Sequence, residues 1–330
     1  MNILFLGYKP YLAYILVALK DTPFFLENRI DIIFADPPPL KLKNHFYQSL
    51  LQQEPALNLS DLKQQVKQAQ NMSQQHFLPI DLHFLSVYPQ IRQLPYDGLD
   101  QLPNLSSYDY MIVASYAHKI PAAIFDQPKY GTINIHPSYL PDLRGGYPTY
   151  IQAFHPRQKL GTTLHIMAEG WDDGDIVRQI HYESDKPLTN DAVLGLSAQY
   201  AGQLLNELYQ MKFCFTPQKQ DLRLVTTCRD ILRRKHKFDE IEGAADFEGY
   251  LRANYDRHLF PYTYTLHEGQ LFIILMAQKI RPSTQMYDWP ERMIMSLDTD
   301  YYLWIEQEIY QVTHFVFDSV PNAESIQTGL

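Results

Sequence analysis

An apolar run, a helical segment and a second apolar run follow one another within the first 36 residues, and no other feature restricts the fold of this chain more. Ile3, Leu4, Phe5 and Leu6 form an unbroken apolar stretch closed by Gly7, which reads as a buried strand ending in a turn. Pro10 stands where a first helical turn tolerates it, and residues 11–20 continue as a helix. Ile30-Asp31-Ile32-Ile33-Phe34-Ala35-Asp36 reads as the next strand, and Pro37-Pro38-Pro39 ends it. Strand, helix, strand at this spacing begins a doubly wound sheet of the α/β class.

The pattern resumes further on. Strands are expected at 82–87, 110–114, 131–135, 161–167 and 176–182, each an apolar or β-branched run bounded by turn residues, and a long helix at 190–211. Residues 40–75, rich in Gln, Asn and Lys, read as an inserted helical excursion. A first domain spanning 1–212 is followed by a connection at 213–239, which carries the basic run Arg233-Arg234-Lys235-His236-Lys237. That run reads as a solvated linker face, or else as a patch for phosphates. In 240–330, Tyr262-Thr263-Tyr264-Thr265-Leu266 and Leu271-Phe272-Ile273-Ile274-Leu275 flank His267-Glu268-Gly269 as a hairpin with Gly in its turn. With further strands at 298–305 and 309–317, the second domain is expected to be small and all-β.

Charge and cysteine content narrow the function classes. The net charge is −9, and residues 240–330 hold 14 Asp/Glu against 5 Lys/Arg, so the excess lies entirely there. A surface for nucleic-acid phosphates would be basic, which argues against a nucleic-acid partner. The two cysteines, Cys214 and Cys228, make neither a disulfide framework nor a CxxC metal site, and neither has the basic or helix-start setting of a reactive thiolate. We expect no metal. The apolar run at 11–19 is far short of the ~20 residues of a bilayer span, and no leader-type cleavage site follows it. The expectation is a cytoplasmic protein without a membrane partner.

Three polar clusters fall at strand ends, where doubly wound folds keep their sites. Asn134-Ile135-His136-Pro137-Ser138 follows an apolar run, and alternation puts Asn134 and His136 on one side. An amide and an imidazole facing one cleft can donate to a developing oxyanion. Leu140-Pro141-Asp142-Leu143-Arg144-Gly145-Gly146 is a loop suited to close approach of a ligand, and Glu169-Gly170-Trp171-Asp172-Asp173-Gly174-Asp175 is a carboxylate-rich turn. A carboxylate beside His136 would keep the ring protonated, because a nearby opposite charge raises a histidine pKa. Taken singly, these clusters also read as a strand end with a Pro turn and a solvated hairpin. His165 reads as a packed strand histidine rather than a catalyst.

Taken in order, the clusters carry more. Val113-Ala114-Ser115-Tyr116, then Asn134-Ile135-His136-Pro137-Ser138-Tyr139-Leu140-Pro141, Arg144-Gly145, Gly161-Thr162-Thr163-Leu164-His165 and Trp171-Asp172-Asp173-Gly174-Asp175 resemble the 10-formyltetrahydrofolate-dependent formyltransferase family over most of 1–212. The resemblance implies a Rossmann-like catalytic domain with Asn134 and His136 as the oxyanion-binding pair. It also implies Asp172 as the carboxylate, two residues before Gly174. It assigns the folate pocket to Ser115, Tyr116, His118, Lys119 and Ile120, with Ala168, Glu169, Gly170 and Trp171 opposite. Leu251-Arg252-Ala253-Asn254, Phe260-Pro261-Tyr262-Thr263 and 269–274 are similar to the family's C-terminal domain, an OB-like barrel. A homodimer through that domain is implied by the resemblance alone.

The implied reaction moves the formyl group of 10-formyltetrahydrofolate to a primary amine, with no metal and no covalent enzyme intermediate. Two phosphates of a dTDP- or UDP-linked amino sugar suit Arg144 and Gly145, and Tyr139 and Tyr147 suit stacking on a base or sugar. Methionyl-tRNA is the alternative acceptor, disfavoured by the acidic second domain. A formyltetrahydrofolate hydrolase would use the same three residues with water. A nicotinamide dehydrogenase is disfavoured because Gly7 lacks the G-x-G-x-x-G that lets backbone approach a pyrophosphate.

Overall fold

A computed structural model of the chain describes residues 1–35, 80–116, 118–155, 159–228, 237–254, 263–267, 270–281, 286, 289, 291–297 and 300–317, with short pieces at 51–52, 58, 60 and 63–65. The Pro37-Pro38-Pro39 break, most of the 40–75 excursion, Arg233 to His236, Phe260-Pro261-Tyr262 and the hairpin turn Glu268-Gly269 lie outside the described residues.

Seven strands form the first sheet: β1 (Asn2–Gly7), β2 (Arg29–Phe34), β3 (Ile91–Leu94), β4 (Tyr110–Ala114), β5 (Thr132–His136), β6 (Leu160–Ile166) and β7 (Ile176–Tyr182). Their order is β3-β2-β1-β4-β5-β6-β7. The first five are parallel, β6 runs antiparallel to β5, and β7 runs antiparallel to β6. The strand order reverses between β1 and β4, and the carboxyl ends of β1, β4 and β5 meet at the crevice that such sheets use for ligands.

The core follows from alternation along β1. Ile3 and Phe5 pack beneath helices α1 (Tyr11–Leu19), α2 (Pro23–Glu27) and α5 (Asn190–Gln210), in a cluster with Leu16, Phe24, Leu204 and Leu205. Leu4 and Leu6 face the opposite side, against Tyr8, Tyr108, Met111 and Val113. The short helix α3 (Ala122–Phe125) adds Phe125 to this second layer. Tyr11 and Ser197 share a buried 2.7 Å hydrogen bond that fixes α1 on α5. At Gly7 a Cβ would stand 2.0 Å from the Ala114 carbonyl oxygen, so only glycine lets β1 and β4 end side by side.

The 82–87 segment is not a strand. It is a tight helical turn over His83–Val87, and the strand comes later at Ile91–Leu94. Local side-chain bonds explain the difference: Asp81 accepts from the His83 amide at 2.8 Å, and the Ser86 hydroxyl donates to the His83 carbonyl. Arg92 then pins β3 to β2 through both carboxylate oxygens of buried Asp31.

Five antiparallel strands follow: β8 (Thr263–His267), β9 (Gln270–Ile280), β10 (Ile294–Leu297), β11 (Asp300–Ile305) and β12 (Glu308–Phe317), in the order β10-β11-β12-β9-β8. This part is not all-β. It opens with α6 (Ala244–Asn254), whose Phe247, Tyr250 and Ala253 are buried together with Tyr150, Ile151 and Phe154 of α4 (Pro148–Phe154). One apolar core, including Phe272, Leu303 and Tyr310, thus joins the β-rich part to the first sheet's flank. No helix among the described residues is long and apolar enough to cross a membrane.

Candidate active site

Asn134 and His136 sit two residues apart on β5, and the sequence between β6 and β7 turns back to bring Asp172 to them. The Asn134 Nδ2 donates to Asp172 Oδ1 at 3.1 Å, and His136 Nδ1 lies 3.5 Å from Asp172 Oδ2. The turn closes only because Gly174 has no side chain, since a Cβ there would stand 1.8 Å from the Ile166 carbonyl oxygen. Asp172 itself adopts φ +51°, a left-handed conformation that Asp tolerates better than most residues. Ser115, Leu143 and Tyr147 hold φ between +56° and +69° around the same site.

A second imidazole completes the cluster. His165 lies opposite Asn134 in the β5–β6 register, and its Nε2 is 3.0 Å from Asn134 Nδ2 and 3.5 Å from Asp172 Oδ1. Its Nδ1 donates to the Ile166 carbonyl, which leaves Nε2 facing the Asn134 amide. Read as a plain strand histidine from sequence, His165 is a member of the site. The signal lies in cross-strand pairing, which no local motif displays.

The charges differ from expectation at one point. His136 is 4% exposed, and burial pushes its pKa below the usual histidine value. Asp172 pulls the other way but does not prevail, so the expectation of a protonated ring is corrected: desolvation of the charged form outweighs the neighbouring carboxylate. Burial also opposes ionisation of Asp172, yet the neighbouring histidines and the Gly145 amide, which donates to Oδ2 at 2.8 Å, hold its carboxyl well below the usual carboxylate range. His136 Nε2 donates to the Leu143 carbonyl at 2.9 Å.

A pocket opens beside this cluster. Tyr116, His118, Lys119 and Ile120 line it together with Ala168, Glu169, Gly170 and Trp171, and Asn134, His165 and Asp172 stand on the same wall. Tyr116 is fixed by stacking on Tyr8 and by a 2.6 Å hydrogen bond to Tyr96, and burial raises its pKa. Ser115 shapes the backbone at the end of β4 without joining the lining, and His136 is likewise outside it.

The four residues expected to meet the acceptor are dispersed. Gly145 is bound to Asp172 through its amide. Arg144 lies on Gln220 through Nε and Nη2 at 3.1 and 2.7 Å. Tyr139 packs away from the pocket, under Lys159 at 3.7 Å and against His181. Tyr147 caps α4 and packs against the core shared with α6, where burial raises its pKa. Gln220, from the stretch expected to be a mere connection, was not foreseen and had no sequence signal. Cys228 is buried, and burial with Asp172 and Asp142 nearby pushes its thiol up to about 12, which leaves it unreactive. Among the described residues, no group of three or more His, Cys, Asp or Glu is placed to hold a metal ion.

A doubly wound α/β sheet with an Asn, two His and an Asp gathered at the end of β5 defines a Rossmann-like domain with a polar site at its switch point. Residues 56–204 match the family described as formyl transferase. Among curated relatives, a methionyl-tRNA formyltransferase of Geobacillus sp. (strain WCH70) is 30% identical over 180 residues, covering 52% of this chain and 54% of that protein. The chain thus matches about half the length of such relatives. Two solved structures share the fold. The N-formyltransferase of Helicobacter canadensis, in complex with folinic acid and dTDP-3-aminofucose, covers 94% of this chain and 98% of that one at TM-score 0.55 and 12% identity. HypX of Aquifex aeolicus, in complex with tetrahydrofolic acid, covers 96% of this chain and 44% of that one at TM-score 0.57 and 14% identity.

Proposed function

We propose that this chain is a folate-dependent N-formyltransferase that moves the formyl group of 10-formyltetrahydrofolate to the primary amine of a dTDP- or UDP-linked amino sugar. The observation that carries the reading is Asp172: a nearly buried carboxylate, hydrogen-bonded to an Asn amide and within 3.5 Å of two imidazoles, on the lining of a pocket. The pocket suits a flat heterocycle. Ile120 and Trp171 offer apolar surface, and among the described residues no backbone amide of 168–171 donates to another backbone carbonyl, which leaves those amides for the ligand. Tyr116, Ile120 and the 168–171 backbone would hold the folate, which supplies the formyl carbon when bound.

The chain's own groups then divide the work. Asn134 donates to the charge developing on the formyl oxygen, giving up its bond to His165 to do so. Asp172 touches the pocket and His136 does not, so the proton released by the attacking nitrogen enters at Asp172 and passes toward Nδ1 of the neutral His136 beside it. The resulting imidazolium is stabilised by the same carboxylate, and the proton returns through Asp172 to the folate nitrogen as its bond to the formyl carbon breaks, which releases tetrahydrofolate. Arg144, held along one edge by Gln220, keeps Nη1 for a phosphate oxygen of the acceptor. In this reading 1–212 is the catalytic unit and 240–330 a smaller β-rich unit. The acidity of the latter supports a nucleotide sugar over an RNA.

Methionyl-tRNA is the second reading, supported by the name of the Geobacillus relative. The deciding experiment incubates the protein with 10-formyltetrahydrofolate and follows tetrahydrofolate in the presence of a panel of dTDP- and UDP-amino sugars or of charged initiator tRNA. Turnover with an amino sugar supports the proposal. Turnover on tRNA alone replaces the acceptor, and tetrahydrofolate released with no acceptor present replaces transfer by hydrolysis.

A further inference from the structure

The stretch from 218 to 228 binds the site like a strap. Gln218 exchanges two backbone hydrogen bonds with Ile176, directly after the turn that carries Asp172. Eight residues later the Thr226 carbonyl accepts from the Arg144 amide at 3.0 Å, its hydroxyl accepts from the Leu143 amide at 2.8 Å, and the Cys228 amide donates to the Arg144 carbonyl. Between these two anchors sits Gln220, 8% exposed. Its Nε2 donates to the carbonyls of Asp172 and Gly174 at 2.8 and 2.7 Å, while its Oε1 accepts from Nε and Nη2 of Arg144. Every strong hydrogen-bonding capacity of this one amide is used, and each bond goes to the Asp172 turn or to the Arg144 loop.

We propose that Gln220 is a positioning residue that sets the Asp172 carboxylate and the Arg144 guanidinium at a fixed spacing, Asp172 for chemistry and Arg144 for the acceptor. This rests on the formyl-transfer reading. Its two ends have separable effects. The donor end holds the backbone on which Asp172 keeps its left-handed φ, so releasing it moves the carboxylate relative to Asn134 and both imidazoles. Displacement by ~1 Å costs about 100-fold in rate. The acceptor end orients Arg144, so releasing it weakens acceptor binding without touching the carboxylate.

Two substitutions split these ends. Gln220→Glu keeps an oxygen toward Arg144 and loses the donor to both carbonyls; kcat should fall about 100-fold while the acceptor KM stays within about twofold. Gln220→Met loses both ends, and kcat should fall while the acceptor KM also rises. The ring ¹⁵N resonances of His136 and His165 in the substrate-free protein should shift in both variants, because the Asp172 carboxylate facing those rings has moved. Unmoved resonances overturn the proposal whatever the kinetics show, and equal effects of the two variants on KM overturn the division between the ends. If Gln220→Met does not fold, the resonances and KM of Gln220→Glu decide alone. If the wild-type protein transfers no formyl group to any acceptor, the activity reading fails by itself, and the resonances still judge Gln220.

Discussion

Asp172→Asn isolates the charge of the central carboxylate with little change of shape. The backbone stays in place, because Asn accepts φ +51° as readily as Asp does. The hydrogen bonds do not. Asp172 accepts from Asn134 Nδ2 on one oxygen and from the Gly145 amide on the other. An amide side chain has one oxygen and one NH2, so either orientation turns its NH2 toward a donor and leaves a buried group unsatisfied. That costs about 1–3 kcal/mol, or a fall in Tm of a few degrees at ~2–4 °C per kcal/mol. The loss of the proton acceptor should lower kcat about 100- to 10,000-fold, which is ~2.7–5.5 kcal/mol of barrier. The assay is single-turnover formation of tetrahydrofolate with saturating acceptor, with binding of a stable formyl-folate analogue measured in parallel. Wild-type turnover in a folded Asp172→Asn protein would refute the assignment of Asp172, and loss of analogue binding equal to the loss of rate would refute its role in the chemical step.

Three further outcomes test other parts of the account. Asn134→Ala should lower kcat ~100- to 1000-fold through the lost donor, with analogue binding retained, as read by the same assay. His136 titrates low in the folded state because burial outweighs Asp172, so the unfolded chain binds more protons as the pH drops below about 6.5, the ordinary value. Stability therefore falls on acidification. Asp172, also held low, adds a loss of the same sign further down. His136→Gln should flatten the upper part of this slope in thermal melts from pH 7.5 to 5, and a wild-type Tm that rises on acidification would contradict the burial argument. Gly249→Ala places a Cβ 2.8 Å from the Phe154 carbonyl oxygen, where α6 crosses α4. Despite the gain of ~1 kcal/mol in helix propensity, crowding of about 1–3 kcal/mol should leave the variant less stable in urea, and a more stable variant would refute the close packing.

The sequence displayed what depends on local pattern. The strands β1 and β4 were legible because both faces are buried beneath near-continuous apolar runs, and the ordered motifs placed Asn134, His136 and Asp172 near strand ends. What it hid depends on partners distant in the chain. The 82–87 run has strand-like composition, but Asp81 and Ser86 bond it into a turn. α6 carries its apolar residues at 247, 250 and 253, a helical spacing short enough to overlook beside Gly249. His165 matters only because the β5–β6 register sets it opposite Asn134. Gln220 comes from a stretch whose only regular element among the described residues is a short helical turn at Leu222–Leu224, held by backbone bonds at both ends. The protonation of His136 could not be read from a neighbouring carboxylate alone, since the opposing contribution is burial, a property of the whole fold.

Formyl transfer at Asp172 is tested most directly by following an isotopic label in the formyl group of 10-formyltetrahydrofolate. With dTDP- or UDP-amino sugar present, wild-type protein should place the label on the sugar nitrogen, and Asp172→Asn should bind the folate equally well yet transfer at least 100-fold more slowly. Label that emerges only as formate, or that reaches the sugar equally fast in both proteins, would contradict the account.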